Sequence, residues 1–192
     1  MLQNLKNEGL IPFIIVGTAG TTDHGAIDNL TAMADLASQH EAWFHVDGAY
    51  GAALILSSQN SKLEGIEKAD SLSVDFHKLF YQTISCGALL VKNNQDFTCL
   101  LHHADYLNRE HDTLPNLVDK SISTTKRFDA LKVFMTMQSV GEKTLGKMYD
   151  HLLIQTQQIA NLVEEIDQFE LLTQPLLSTI LFRYNGKTAT SL

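Results

Sequence analysis

The sequence predicts an α/β fold in which helices cover a parallel or mixed β-sheet. Short apolar runs rich in β-branched residues alternate along the chain with segments whose apolar residues recur at helical spacing. The strand-like runs are apolar at consecutive positions, which is typical of strands buried on both faces. At 192 residues, the chain is long enough to bury a sizeable core.

Two strands and a helix are predicted in the first 46 residues. Residues 11–16 are a continuous apolar run that ends in a turn rich in glycine and threonine. A helix is expected over residues 29–40, with Asp28 as its N-cap. Its apolar residues share one face at helical spacing: Leu30, Met33, Ala34 and Ala37. Residues 43–46 form the second strand.

The middle of the chain adds two strands and a long polar loop. Residues 54–68 are expected to be loop and short helix, with Leu63 and Ile66 facing inward. Residues 72–76 and 88–91 are the further strands. The polar, histidine-rich residues 100–116 show no periodicity, and long loops of this kind in compact domains are usually functional or mobile.

The last third is predicted to be mainly helical. One helix begins at about residue 125, a second covers about residues 142–165, and residues 179–184 are a strand.

Composition excludes several classes of protein. The net charge of −8 argues against a nucleic-acid partner, which needs a basic face. The longest apolar runs are too short to cross a bilayer, and the amino terminus lacks the apolar core of a signal peptide. Cys86 and Cys99 are expected to be buried thiols in a reducing cytosol, which favours a cytoplasmic protein.

Asp47 and Lys78 each follow a predicted strand, where ligands bind in open α/β sheets. The pair suits pyridoxal phosphate chemistry. A lysine amine forms an imine with the cofactor aldehyde, and a carboxylate keeps the pyridine nitrogen protonated so that the ring accepts electrons. By periodicity alone, Lys78 could instead extend to water and Asp47 could cap the following helix.

Five ordered motifs surround these residues: GTAGTT (17–22), GAID (25–28), HVDGAYG (45–51), DFHK (75–78) and KRFDALK (126–132). Together they resemble the group II pyridoxal phosphate-dependent amino acid decarboxylases. Residues 102–109 (HHADYLNR) and 114–121 (LPNLVDKS) look most like the L-2,4-diaminobutyrate decarboxylase branch of that family.

The resemblance implies a pyridoxal phosphate-dependent transferase-like fold of the aspartate aminotransferase type I class. Residues 1–134 would be part of the large cofactor-binding domain, and residues 135–192 the connecting helices and the start of the small α+β domain. Family members are much longer homodimers, so the chain is expected to be a fragment. A phosphate-binding turn and a ring-stacking histidine would lie upstream of it.

The resemblance also assigns roles to individual residues. Lys78 would carry the cofactor imine, Asp47 would pair with the pyridine nitrogen, and Ala49 would let the ring lie flat against the backbone. His77 could anchor the phosphate or orient Lys78, and burial beside His77 would help Lys78 to lose its proton. Thr22 would lie near the ring and the substrate, or simply close its turn.

Two further residues complete these expectations. Tyr106, in the polar loop, would reach the partner subunit's site and help to reprotonate the carbanion after carbon dioxide leaves, unless it is an exposed loop tyrosine. Asp75 departs from the asparagine of several branches and would repel a phosphate, so it is given no role.

Three alternatives remain at this point. The fold could serve a cysteine desulfurase or an aminotransferase, although a desulfurase needs a loop cysteine. The chain could be a non-catalytic fragment that does not hold the cofactor.

A metal site at His102, His103 and His111 is not expected, because adjacent histidines point apart and no carboxylate has ligand-like spacing.

Overall fold

A computed structural model describes residues 2–104, 106–108, 114 and 116–185. Strands and helices alternate in the first half, and helices dominate the second. The helices are α1 (Leu2–Asn7), α2 (Leu30–Gln39), α3 (Ala130–Ser139) and α4 (Glu142–Glu164). The strands are β1 (Ile14–Thr18), β2 (Trp43–Asp47), β3 (Ser71–Asp75), β4 (Gly87–Val91), β5 (Phe169–Thr173) and β6 (Leu181–Tyr184).

The main sheet has the strand order β1-β2-β3-β4. The first three strands are parallel, and β4 is antiparallel to β3. This mixed sheet confirms one of the two predicted arrangements. Because β1, β2 and β3 run in one direction, their carboxyl ends lie at the same edge of the sheet.

Helix α2 begins at Leu30, one residue later than the start at residue 29 predicted from an Asp28 N-cap. The Asn29 side chain accepts the backbone N–H of Ala32 and so caps the helix. Asp28 has a different partner, because its Oδ2 accepts the backbone N–H of Thr18 at 2.8 Å. Asp28 therefore fastens the segment before α2 to the end of β1, and the prediction that it is the N-cap is wrong.

A single cluster of buried side chains joins the sheet to helices α2 and α4. Phe44 and Val46 of β2 contribute to it, together with Leu30 of α2 and Tyr149 of α4. Leu63 is also buried there and Ile66 packs against the cluster, as predicted for the region between β2 and β3. That region contains three short 3₁₀ helices, Gly51–Leu56, Asn60–Leu63 and Ile66–Lys68.

A second, two-stranded antiparallel sheet consists of β5 and β6. Strand β6 begins two residues after its predicted start at residue 179, and β5 was not predicted. The rings of Phe169 and Phe182 meet edge-on across this sheet, with centroids 5.4 Å apart.

Three details differ from or add to the sequence expectations. Helix α3 begins at Ala130 rather than at residue 125. Cys86 is buried as expected, but Cys99 is exposed, so the expectation of two buried thiols is wrong for Cys99. In the described ranges, none of the helices combines the length and the apolar character needed to cross a membrane.

Candidate active site

Asp47 is the last residue of β2, and its carboxylate is held in place from two directions. Oδ1 accepts the backbone N–H of Ala49 at 3.0 Å and the hydroxyl of Ser73 at 3.3 Å. Ser73 is the residue of β3 in register with Asp47. Within the part of the chain that the structure describes, Oδ2 makes no hydrogen bond, and the residue is exposed at the sheet edge.

The turn after β2 lies close to the end of β1 because residue 51 is glycine. Its N–H donates to the carbonyl of Ala19 at 2.9 Å, and a Cβ on Gly51 would lie 2.3 Å from the same oxygen. Ala49, between Asp47 and this contact, is half-buried. The Ala49 side chain is a single methyl group, so it projects little from the backbone beyond the end of β2.

Lys78 lies in the turn after β3, which comprises residues 76–80 and is called here the Lys78 turn. Its Nζ is 3.0 Å from Oδ2 of Asp75, the last residue of β3. The lysine side chain is 42% exposed, so the burial expected around Lys78 is not found. The amine therefore lies at the surface beside the Asp75 carboxylate.

His77 is fixed by the loop that precedes β4. Its backbone N–H donates to the carbonyl of Cys86 at 3.0 Å. On its ring, Nδ1 lies 2.9 Å from the same carbonyl oxygen and 3.2 Å from the Cys86 nitrogen. Nε2 is 3.7 Å from Oδ2 of Asp75. The ring therefore lies between the Cys86 backbone and the carboxylate that also holds Lys78.

Thr22 is exposed in the turn that follows β1. The threonine that closes this turn is its neighbour, because Oγ1 of Thr21 accepts the backbone N–H of Ala26 at 3.0 Å. Thr22 thus lies beyond the carboxyl end of β1, on the same sheet edge as Asp47.

Tyr106 is 86% exposed at the tip of a short turn between Ala104 and Asn108. Asn108 is buried and holds the base of that turn. Its Oδ1 accepts the Ala104 N–H at 2.9 Å, and its Nδ2 donates to the carbonyl of His102 at 3.0 Å and to the Asp119 carboxylate. Tyr106 therefore lies exposed on a turn that the Asn108 hydrogen bonds hold in place.

The comparisons with known proteins decide the family. The family model described as the pyridoxal-dependent decarboxylase conserved domain matches residues 1–185. The chain belongs to this decarboxylase family.

Two bacterial relatives of this decarboxylase-family chain are L-2,4-diaminobutyrate decarboxylases. The protein from Rhizobium meliloti is 47% identical over 186 residues, and the one from Acinetobacter baumannii is 42% identical over 186 residues. Each match covers 95% of the chain, which spans only 38% and 36% of the respective relatives.

Solved structures confirm the predicted fold class. The glutamate decarboxylase domain of a diaminobutyrate-pyruvate transaminase and L-2,4-diaminobutyrate decarboxylase from Vibrio parahaemolyticus is 58% identical, with a TM-score of 0.82 over 98% of this chain and 36% of that one. Oryza sativa TDC, solved with PLP and tryptamine, is 28% identical, with a TM-score of 0.89 over 95% of this chain and 38% of that one. The decarboxylase family therefore accounts for the fold and for the resemblance seen in the motifs.

Three polar residues of the candidate site were missed by sequence reasoning. Asp75 was given no role, yet it pairs with Lys78, and the spacing of three residues in DFHK was the available signal. Ser73 was missed because only strand register brings it to Asp47. Asn108 was missed because its partners come from outside any periodic element.

The histidine-rich loop offers no metal centre in its described part. Among the described residues, no group of three or more His, Cys, Asp or Glu is placed to hold a metal ion. His111 lies outside the described residues.

Proposed function

We propose that this chain carries the lysine and the ring-nitrogen partner of a pyridoxal phosphate-dependent L-amino acid decarboxylase, acting on L-2,4-diaminobutyrate. The observation that carries the proposal is the pairing of β2 with β3. These strands are parallel neighbours, so Asp47 and the Lys78 turn follow adjacent strand ends at one edge of the sheet. This edge is where open α/β sheets bind their ligands.

The residues present fit the cofactor. Asp47 offers an exposed carboxylate whose Oδ1 is already oriented by Ala49 and Ser73, which leaves Oδ2 to accept a pyridinium N–H. Lys78 offers an amine at the neighbouring strand end. Pyridoxal phosphate, when bound, supplies an aldehyde that combines with amines and a ring that takes up the electrons left when a carboxylate departs.

Lys78 must be neutral to react as an amine, and Asp75 is placed to take its proton. Oδ2 of Asp75 lies 3.0 Å from Nζ, within the reach required of a general base. His77, 3.7 Å from the same oxygen, is placed to share the proton held at that carboxylate. In this proposal the negative charge of Asp75 acts on Lys78 and is not required to lie beside the cofactor phosphate.

Asp47 keeps the ring nitrogen charged by holding a carboxylate in a fixed orientation. The N–H of Ala49 and the hydroxyl of Ser73 both donate to its Oδ1 and so reduce the freedom of the side chain. Ala49 lets a flat ring approach the backbone, and the exposed Thr22 offers a hydroxyl at the adjoining strand end. These tasks are binding and orientation rather than covalent chemistry.

Tyr106 supplies the proton donor in this proposal. A phenol at the tip of an outward turn can enter the site of a second subunit, which accords with its 86% exposure. The assembly proposed is a homodimer in the cytoplasm, with the two subunits completing each other's sites. The choice of L-2,4-diaminobutyrate rests on the 47% and 42% identity to two enzymes of that name.

Borohydride trapping tests the site directly. The chain is incubated with pyridoxal phosphate, reduced and mapped by peptide analysis. Lys68 is a matched control, since it is 43% exposed and paired with Asp35 at 3.1 Å, much as Lys78 is paired with Asp75. Label concentrated on Lys78 is expected. Equal label on Lys68 and Lys78 would show only surface reactivity and would refute the assignment.

A chimera tests the reaction and the assembly. This chain replaces the matching 186 residues of the Rhizobium meliloti enzyme, and carbon dioxide release from L-2,4-diaminobutyrate is measured. Lys78→Ala and Tyr106→Phe chimeras should each be inactive or nearly so. Subunits mixed after unfolding and refolding should regain about a quarter of the activity, because half the dimers then hold one intact site. No recovery on mixing would place Tyr106 in its own subunit's site or outside any site.

A further inference from the structure

The segment that begins α3 lies against the loop that joins the Lys78 turn to β4, residues 81–86. Three side chains reach the loop from this segment. Nη2 of Arg127 donates to the carbonyl of Ser85 at 2.7 Å, and Nζ of Lys132 donates to the carbonyl of Thr83 at 3.3 Å. The Thr136 hydroxyl donates a hydrogen bond to Oε1 of the buried Gln82 side chain at 3.2 Å.

Asp129 holds the two cations in these positions. Its Oδ1 accepts from Nε of Arg127 at 2.6 Å and from Nζ of Lys132 at 2.8 Å. The hydrogen bond from Arg127, followed by the one from Lys132, holds the pKa of the Asp129 carboxyl below its usual value. An isolated exposed ion pair contributes little to stability. Here one carboxylate fixes two donors, and each donor continues to a loop carbonyl.

The loop in turn holds the Lys78 turn. The N–H of His77 donates to the carbonyl of Cys86, and the N–H of Gln82 donates to the carbonyl of Phe76, both at 3.0 Å. Cys86 is buried, and its thiol lies 3.8 Å from the carbonyl of Asp129. Two links therefore connect Asp129 to the residue next to Lys78: one through the loop carbonyls and one through Cys86.

We propose that Arg127, Asp129 and Lys132, the Arg127–Asp129–Lys132 network, position His77 and Lys78 by fixing the loop over residues 81–86. None of the three touches Lys78, so they are positioning residues. Any role of these three residues in the reaction rests on the proposed function of Lys78. Their effect on the conformation of the loop is independent of that function and can be measured without cofactor.

Amide hydrogen exchange in the chain itself tests the mechanical part. The amides of His77, Gln82 and Cys86 are the reporters, because each bonds across the turn or loop. Arg127→Gln and Asp129→Asn should each speed exchange at these amides by about tenfold relative to the rest of the chain. Arg127→Lys keeps one charged donor and should give an intermediate rate.

Arg183→Gln is the matched control. Arg183 is 59% exposed and pairs with Glu170 at 2.7 Å, while Arg127 is 58% exposed and pairs at 2.6 Å. The control should leave the three reporter amides unchanged. Exchange that rises uniformly along the chain in Arg127→Gln, or no change at the reporters, would overturn the proposal.

Borohydride trapping with pyridoxal phosphate tests the link to Lys78. The share of label on Lys78 relative to Lys68 should fall several-fold in Arg127→Gln and Asp129→Asn and stay constant in Arg183→Gln. A loosened loop with an unchanged Lys78 share would overturn the positioning of Lys78. If unaltered protein shows no preference for Lys78, the proposed function fails, and the exchange rates alone then decide whether the network fixes His77.

Discussion

Replacing Asp150 should weaken the attachment of α4 to the region that follows Asp47. Asp150 lies on α4, and its Oδ1 accepts the hydroxyl of Ser57 at 2.5 Å and the N–H of Ser58 at 3.0 Å. Ser57 directly follows the 3₁₀ helix Gly51–Leu56 and is 3% exposed. The contact thus joins parts of the chain more than 90 residues apart.

The magnitude follows from the partners. Asp150→Ala removes a charged acceptor from two donors and leaves the buried Ser57 O–H without its acceptor, although the Ser57 oxygen still accepts the N–H of Gln59. The loss should cost about 1–3 kcal/mol of unfolding free energy. Asp150→Asn keeps an acceptor oxygen and loses the charge, for about 1 kcal/mol. Asp35→Asn, which removes one exposed partner of Lys68, is the control and should cost less than about 0.5 kcal/mol.

The pH dependence identifies the charge as the cause. The hydrogen bond from Ser57 holds the pKa of the Asp150 carboxyl below its usual value, and Ser58 adds to the effect. The contribution is therefore complete above the unfolded-state pKa of about 3.9 and is lost as the pH falls through the folded-state value. In urea unfolding, the stabilities of unaltered protein and Asp150→Asn should converge as the pH falls below about 3.9. A stability gap that stays constant from pH 7 downward would refute the reasoning.

Three further changes test other contacts. Gly51→Ala should destabilise by more than about 2 kcal/mol in urea unfolding, because the new Cβ would lie 2.3 Å from the Ala19 carbonyl oxygen; a neutral effect would show that the turn can move. Asn108→Ala should speed amide exchange around Tyr106 and cost about 1–3 kcal/mol, and unchanged exchange would count against its role. Tyr149→Phe should leave stability unchanged or raise it by about 1 kcal/mol, since the hydroxyl is buried with no hydrogen-bond partner in the described chain; a clear loss would reveal a partner.

The sequence predicts the main sheet well because its strands are apolar at consecutive positions. The burial on both faces that this pattern indicates is not found in β1 and β4, where Val16 and Leu89 are exposed. The predicted strand over residues 43–46 ends one residue before the observed β2, and the one over residues 72–76 is shifted by one residue relative to the observed β3. Strand β5 was missed because its residues alternate between half-buried and exposed in a small sheet, where the apolar pattern is weak. The start of α3 was misplaced because the charged residues before Ala130 bond to the loop over residues 81–86 instead of extending the helix.

At the candidate site, too, local sequence predicts some residues, while tertiary contacts determine others. Asp47 and Lys78 were predicted as site residues from the motifs HVDGAYG and DFHK and from their positions after apolar strands, where ligands bind in open α/β sheets. The N-cap was misassigned because Asp28 and Asn29 are equally good candidates in isolation, and only the approach of Thr18 decides between them. Contacts of this kind depend on tertiary neighbours, so a local pattern does not reveal them.

The exposure of Lys78 changes what the site requires of its surroundings. The Lys78 side chain is 42% exposed and its Nζ lies 3.0 Å from Asp75, so in the proposed function that carboxylate is the group placed to receive the lysine proton. Reaction with an aldehyde must then separate Nζ from Oδ2, and the carboxylate must stay in place to receive the proton. The position of Asp75 follows from β3 and that of His77 from the loop over residues 81–86. In the proposed site, the positions of Asp75 and His77 therefore depend on β3 and, through that loop, on the Arg127–Asp129–Lys132 network.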